Sequence, residues 1–420
     1  MAFLSARLLK AAGRLKPVLT KIFPISLLRR AKALLINHAV SQTNFIPFER
    51  AAHPDGINLI GDIRAEIGLG QSCRLVADAL SASGLDFAIY HFDQLRSPRH
   101  DDHSWDQKIS NETPYNINLF HINAADLPLA FFELGPAMWH KRYNIGYWLW
   151  ELENFPPEWR TNLEFVDEIW TPSEFVSSAV RRVTDKPVHT IPYPVSAPAA
   201  TQYDRESFGL PDSKFLFLCM YDCSSTMERK NPLGAVSAFT AAFRPEQTDV
   251  GLVVKINNPL EQDILLLKRE LAGYSHVYFF METFSKERVN SLIACADAYI
   301  SLHRSEGFGL ILAEAMLLGT PTIATNWSAN TEFMNAEVAC MVDYSFTAIQ
   351  NDAAVYKKGE RWAEPDIRQA AEYMRRLHRD GAYRAKLAAA AQKHVQSELS
   401  AARARERIRR RVEEIYASRH

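Results

Sequence analysis

Short apolar runs recur along the chain, and segments with helical spacing follow several of them. Ile57–Ile60 predicts a strand, and Leu75, Val76, Ala79 and Leu80 mark the apolar face of the helix after it. Asp86–Phe92, Ile117–His121, Tyr143–Trp150 and Glu168–Thr171 predict further strands. PSEFVSSAVRRV then predicts a helix, and Val188–Ile191 closes this series. A second series opens at Phe215–Tyr221 and continues with a helix over Pro232–Phe243, strands at Val250–Ile256 and Val277–Phe280, and a helix over Lys286–Ala296. Ala298–Leu302 and Thr322–Ala324 predict strands on either side of a helix over Leu310–Leu318, and beyond about residue 366 the pattern is helical. Strands that alternate with helices imply an α/β protein with mostly parallel, doubly wound sheets.

Pro192, Pro194, Pro198 and Pro211 cluster between the two series, as in a linker. The expected division is therefore a basic helical arm at 1–50, a Rossmann-like domain at 51–196, a linker at 197–212, a second Rossmann-like domain at 213–380 and C-terminal helices at 381–420. Two such halves suggest a central cleft between domains, where ligands bind. In the last helix, Ile408, Val412 and Ile415 form a narrow apolar stripe among arginines. The arginine-rich side reads as a solvated face, with lipid contact as the sharper option.

At 420 residues the chain has room for two or three domains of about 100–200 residues. Its net charge of −1 argues against bulk nucleic-acid binding. The charge is unevenly spread: residues 1–48 hold eight Lys/Arg and no Asp or Glu. Leu4, Leu8, Leu9, Ala12 and Leu15 give the arm an apolar side. It reads either as a helix lying on anionic lipid or as a charged flank packed on the body. A secretory leader would place its basic residues ahead of a clean apolar core. The expectation is thus a cytoplasmic protein, with the arm a candidate contact for the inner membrane face. Five scattered cysteines suit free thiols in a reducing compartment.

Three stretches carry candidate chemistry. In SEGFGLILAEAM, Glu314 is the one ionisable side chain of an otherwise apolar helix. Burying that carboxylate costs several kcal/mol unless it is paired or hydrogen-bonded. An arginine elsewhere would answer this; so would a ligand with hydroxyls to donate. Gly307 and Gly309 allow close backbone approach where the helix begins, and helix N-termini suit phosphate. Together with Glu306 these features equip one surface for a sugar diphosphate. In ERKNP, Asn231 and Pro232 are a good N-cap and first helical residue, which sets Arg229 and Lys230 at the positive helix end. Cations there are mildly unfavourable unless an anion binds; the alternative is that both side chains reach water. GDIRAEIGLGQS sets Gly68 and Gly70 ahead of a helix. Cys73 stands where a dinucleotide fingerprint needs its third glycine, so a loop shaping the cleft is the better reading. His121 ends a predicted strand, where α/β sites cluster, though a structural histidine fits as well. No D-x-D, H-E-x-x-H or G-x-S-x-G occurs.

These residues resemble the retaining glycosyltransferases of family 4, also called glycosyl transferases group 1, with the GT-B fold. The resemblance covers roughly residues 56–400, and its most specific element is E-x7-E, Glu306 and Glu314 within EGFGLILAEAMLLGTP. It implies that Glu306 contacts the donor sugar, that Glu314 contacts the nucleotide ribose, and that the loop amides of Gly307, Phe308 and Gly309 lie near sugar and diphosphate. Lys230 matches the lysine that neutralises the diphosphate. Gly68 and Gly70 resemble the glycine loop of the first domain, and His121 the histidine near the donor sugar. Many members carry Gly-Arg after the first strand of the second domain. Here that place reads YDCSS, with Asp222, so Arg229 is the candidate replacement. D-x-x-S-x-x-x-R-K-N-P with SLHRSEGFG resembles a subgroup linked to bacterial surface-polysaccharide assembly.

The resemblance assigns the acceptor to the first domain and the nucleotide-sugar to the second. It implies a metal-independent, hexosyltransferase-like enzyme that moves a sugar from a nucleotide-sugar, a substrate and not a cofactor, to a saccharide or lipid-linked acceptor hydroxyl with retention. The context is polysaccharide or glycolipid biosynthesis. The other readings are a sugar-nucleotide epimerase or phosphorylase of similar fold, or a non-catalytic sugar-nucleotide-binding protein.

Overall fold

The computed structural model describes residues 44–93, 99–200 and 202–418. Most of the basic arm, residues 1–43, lies outside the described residues. The chain forms two compact units. The first comprises the described parts of Met1–Leu149, Glu153–Pro194 and Ala401–His420; the second comprises Trp150–Leu152 and Val195–Ser400.

In the first unit β1 (Ile57–Gly61), α1 (Gly68–Ser83), β2 (Phe87–His91), β3 (Ile117–His121), α2 (Leu127–Leu134), β4 (Tyr143–Tyr147), β5 (Glu168–Thr171), α3 (Glu174–Arg181) and β6 (Val188–Thr190) follow one another. The strands pair in the order β2-β1-β3-β4-β5-β6, every pair parallel. Strand β1 is buried throughout, as a central parallel strand must be. Register is fixed by a polar device inside this apolar sheet. Asn58, Asn118 and Asn144 stand opposite one another on β1, β3 and β4. The Asn58 amide donates to Asn118 Oδ1 and the Asn118 amide to Asn144 Oδ1, both at 2.9 Å. A slip of one residue would leave these buried amides unsatisfied, at about 1–3 kcal/mol each.

The second unit runs β7 (Phe215–Asp222), α4 (Met227–Lys230), α5 (Pro232–Ala242), β8 (Val250–Asn257), α6 (Glu261–Glu270), β9 (Val277–Phe280), α7 (Lys286–Cys295), β10 (Ala298–Ser301), α8 (Leu310–Leu317), β11 (Thr322–Thr325) and β12 (Cys340–Val342). These strands pair in the order β12-β11-β10-β7-β8-β9, again all parallel. An antiparallel hairpin follows, β13 (Tyr344–Ala348) and β14 (Arg361–Pro365). The chain ends in α9 (Ile367–Arg379), α10 (Gly381–Glu398) and α11 (Ala401–Ala417). The core on one face of this sheet joins Phe217, Leu252, Val254, Ile300 and Ile323 to Phe239, Met374 and Leu377 of the helices.

Two segments behave differently from the sequence expectation. The proline-rich stretch packs on the second unit: Arg205 donates to the Cys295 carbonyl at 2.9 Å and pairs with Asp297 at 2.7 Å, and Asn290 donates to the Pro198 carbonyl at 2.9 Å. The helices of 381–420 divide, with α10 in the second unit and α11 in the first. The apolar stripe of α11 is buried, Ile408, Val412 and Ile415 being at most 1% exposed, which removes it from lipid. Nor is its basic side wholly solvated. Arg411 grips the fully buried Glu168 through two hydrogen bonds of 2.9 and 2.6 Å, and Tyr143 and Trp170 complete that carboxylate's shell. The described cysteines are all free thiols.

Candidate functional site

The second unit gathers seven of the predicted residues around one loop. β10 ends at Ser301, and His303–Gly309 leads into α8. Backbone bonds fix that loop from several sides. Arg304 N–H donates to the Arg229 carbonyl at 2.8 Å, and Ala329 N–H donates to the Glu306 carbonyl at 3.2 Å. Glu306 N–H donates to Ser328 Oγ at 2.8 Å, and Thr325 Oγ1 to the His303 carbonyl at 2.6 Å. Gly309 has φ +92°, a left-handed conformation that favours glycine. Gly307 is required by protein: a Cβ there would lie 2.7 Å from the Trp150 carbonyl oxygen. Phe308 is buried and packs on Phe333, with ring centroids 5.5 Å apart. Among the described residues no side chain caps α8, so its first-turn amides depend on other partners.

The ERKNP stretch folds differently from its prediction. Arg229 and Lys230 form the last turn of the short α4, and Asn231, at φ 49°, ends α4 and caps α5 by accepting from Gly234 N–H at 3.1 Å. The cations therefore lie outside the first turn of α5. Nor do both simply reach water. Lys230 Nζ lies 2.6 Å from Glu306 Oε1, and Arg229 Nη1 lies 3.3 Å from Glu306 Oε2. Arg229 is 3% exposed, donates to the Ser305 carbonyl at 2.8 Å and lies 3.9 Å from Glu151 Oε1. Tyr356 donates to Glu151 Oε2 at 3.0 Å. What the sequence presented as two sites is one cluster. Burial opposes ionisation of Glu306, but Lys230 and Arg229 overcome it and hold the carboxyl down at about 2. Glu306 is thus an anion at any working pH.

Glu314 is fully buried on α8, 2.5 Å from Lys286 Nζ at the start of α7. The partner is a lysine, not the arginine that the sequence suggested. Burial pushes its carboxyl above the usual range and Lys286 pulls it back. Arg304 holds the hairpin to the loop through two hydrogen bonds to Glu364, of 2.6 and 3.0 Å. Asp222, where the resemblance expects an arginine nearby, accepts from Ser224 N–H at 2.8 Å and from Asn258 at 3.0 Å, closing its own turn.

Sequence reasoning missed Glu151, Lys286, Ser328 and Tyr356. Glu151 had a signal, since it is the acid that ends the aromatic run Tyr147–Trp150. Tyr356 had none, because it lies in a segment without periodicity.

His121, Gly68 and Gly70 belong to the first unit. His121 is buried at the end of β3, hydrogen-bonded to Ser72 Oγ at 2.6 Å and stacked on Tyr147 at 5.2 Å. Burial lowers its pKa to about 4, so it is a neutral imidazole. Gly70 is set by packing: a Cβ there would fall 2.0 Å from the Ala65 carbonyl oxygen. Among the described residues a Cβ at Gly68 would meet nothing within 4 Å, and both glycines lie in the first turn of α1, not in a loop ahead of it.

Residues 202–394 match the sequence model of the family described as Glycosyl transferases group 1. No curated protein matches the chain. Among solved structures, the chain is similar to Anabaena HepE, crystallised with UDP and glucose (15% identity, TM-score 0.61, covering 86% of this chain and 100% of that one). It is similar to a glycosyltransferase from Rickettsia africae (14%, TM-score 0.63, 86% and 99%). A sucrose-phosphate synthase from Thermosynechococcus elongatus is comparable (14%, TM-score 0.63, 87% and 100%). The chain has the GT-B fold, and its residues 202–394 are similar to glycosyl transferases group 1.

Proposed function

We propose that the protein transfers a sugar from a nucleotide-sugar to an acceptor hydroxyl with retention of anomeric configuration, in polysaccharide or glycolipid biosynthesis. The observation that carries this reading is the pair of carboxylates at α8, Glu314 fully buried and Glu306 largely so. Glu306 is locked as an anion by Lys230 and Arg229, and among the described residues Glu314 has no hydrogen-bond partner beyond its contact with Lys286. Two acceptors placed before and within a helix, with cations beside the first, match a sugar and a ribose joined by a diphosphate. The nucleotide seen with HepE supports a nucleoside diphosphate as the leaving group.

In this mechanism Glu306 accepts hydrogen bonds from the donor sugar and Glu314 from the ribose. The glycosyl–phosphate bond breaks toward phosphate. Lys230, which uses one of its three N–H donors on Glu306, neutralises the developing charge together with the amides at the start of α8, while the buried Arg229 keeps Glu306 ionised. A leaving phosphate oxygen takes the acceptor proton while the acceptor oxygen bonds the anomeric carbon from the same face. No enzymic nucleophile and no metal enters. A panel of nucleotide-sugars, with products read by mass spectrometry and anomers by NMR, tests this. One donor should yield a retained glycoside, at a rate unchanged by EDTA. An inverted product, loss of turnover in EDTA, or epimerisation without acceptor would overturn the mechanism.

The basic arm extends the proposal to an anionic membrane surface. Among the described residues no helix is long and apolar enough to cross a membrane. Deleting residues 1–45 should release the protein from phosphatidylserine vesicles in a sedimentation assay; unchanged co-sedimentation would count against the arm.

A further inference from the structure

Glu314 has an electrostatic problem that its own helix cannot solve. Its buried neighbours on α8 are Leu312, Ala313, Ala315 and Met316, none of which can donate through a side chain. The elements packed on α8 are α7, α10, β10 and β11. Helix α10 supplies the uncharged Gln392, which donates to the Leu317 carbonyl at 2.9 Å. Strand β10 supplies Tyr299, which burial holds neutral far above the working range. Strand β11 is Thr-Ile-Ala-Thr, with nothing to ionise. Helix α7 supplies Lys286, its first residue, 2.5 Å from Glu314 Oε1. Among the described residues it is the charged group that acts on Glu314.

We propose that Lys286 is a positioning residue for the donor nucleotide: its ammonium holds Glu314 as a carboxylate and leaves the second oxygen to accept from the ribose hydroxyls. The proposal rests on the reading of Glu314 as the ribose acceptor. The chemistry is that of a vicinal diol. A carboxylate can accept from both hydroxyls, whereas a carboxylic acid must donate through one oxygen and loses an acceptor. A carboxyl with no exposed surface favours the acid form, and an opposite charge within about 4–6 Å moves it back by about 1–3 pH units. The Lys286 side chain is 30% exposed, so it joins the buried oxygen to the outside of the unit, from which a nucleotide must come. Ser285 already caps α7 by accepting from Arg288 N–H at 3.3 Å. Helix initiation therefore does not need Lys286.

Calorimetric titration with UDP, GDP and ADP, and with their 2′-deoxy and 3′-deoxy forms, tests this across pH 5.5–9.5. For the wild type, affinity should fall as pH drops through the raised Glu314 value, and the preference for ribose over deoxyribose should fall with it. Lys286→Met should move that acid limb upward by about 1–3 pH units, and weaken binding at pH 7 at least tenfold. Raising the pH should restore binding and ribose preference. Lys286→Gln should show the same limb, and Lys286→Arg should return it to within threefold of wild type. Glu314→Gln should abolish the limb. Thermal melts separate a structural effect, which would lower stability and leave the limb in place. If Glu314→Gln weakens nucleotide binding but the limb is unmoved in Lys286→Met and Lys286→Gln, the inference is wrong and the donor-site reading stands. Failure of the wild type to bind any of the three diphosphates would overturn both.

Discussion

Replacing Lys230 by alanine should lower kcat at least tenfold and leave the fold intact. Its ammonium sits at the rim of the charged cluster, 22% exposed, against one oxygen of Glu306. Arg229 remains to keep Glu306 ionised, so folding loses one partly exposed ion pair, a small effect. On the proposed mechanism the reaction loses a preorganised cation where diphosphate charge develops. Such a donor is worth about 3 kcal/mol, or about 10²-fold in rate. Steady-state kinetics beside a thermal melt checks this. Near-normal turnover in a folded variant would remove Lys230 from the site.

Arg229→Ala should behave in the opposite way and unfold the second unit at lower denaturant. The guanidinium is 3% exposed, and it joins Glu306, the Ser305 carbonyl and Glu151. Its removal leaves Glu306 with Lys230 alone and Ser305 without its donor. Breaking a buried pair from one side costs about 3–5 kcal/mol, large against the total stability of a domain. Activity should fall with the population of folded protein. Chemical denaturation followed by far-ultraviolet circular dichroism reads this. An unchanged midpoint with lost turnover would instead make Arg229 a diphosphate partner, filling the place of the arginine that YDCSS lacks.

The contrast between the two variants shows what could be read in advance. Adjacent in the sequence and alike in charge, Arg229 and Lys230 shared one pattern reading, both beside an anion at a helix end or both in water, and only the resemblance told them apart. The structure gives them unequal burial because Asn231 turns left-handed and starts a new helix. Nothing in ERKNP announces that turn, since asparagine caps helices in more than one conformation. Their common partner, Glu306, is 76 residues from Lys230 in sequence.

By itself the sequence determined two parallel α/β series, because buried parallel strands must be apolar runs and their crossover helices must show a periodic face. It also singled out Glu314, because a lone acid in an apolar helix demands an explanation whatever the fold, while Glu306 and Lys230 stood out through the resemblance. Only the tertiary structure decided which charges meet. It brought Lys286 to Glu314 and Glu151 to Arg229, folded the hairpin that ties Glu364 to Arg304, and docked α11 through Arg411 onto Glu168. The reason is physical. Hydrophobic periodicity is a local property of a segment, whereas a buried charge is stabilised by whichever opposite charge the folded chain brings within a few ångströms, and that distance is not a function of position along the chain.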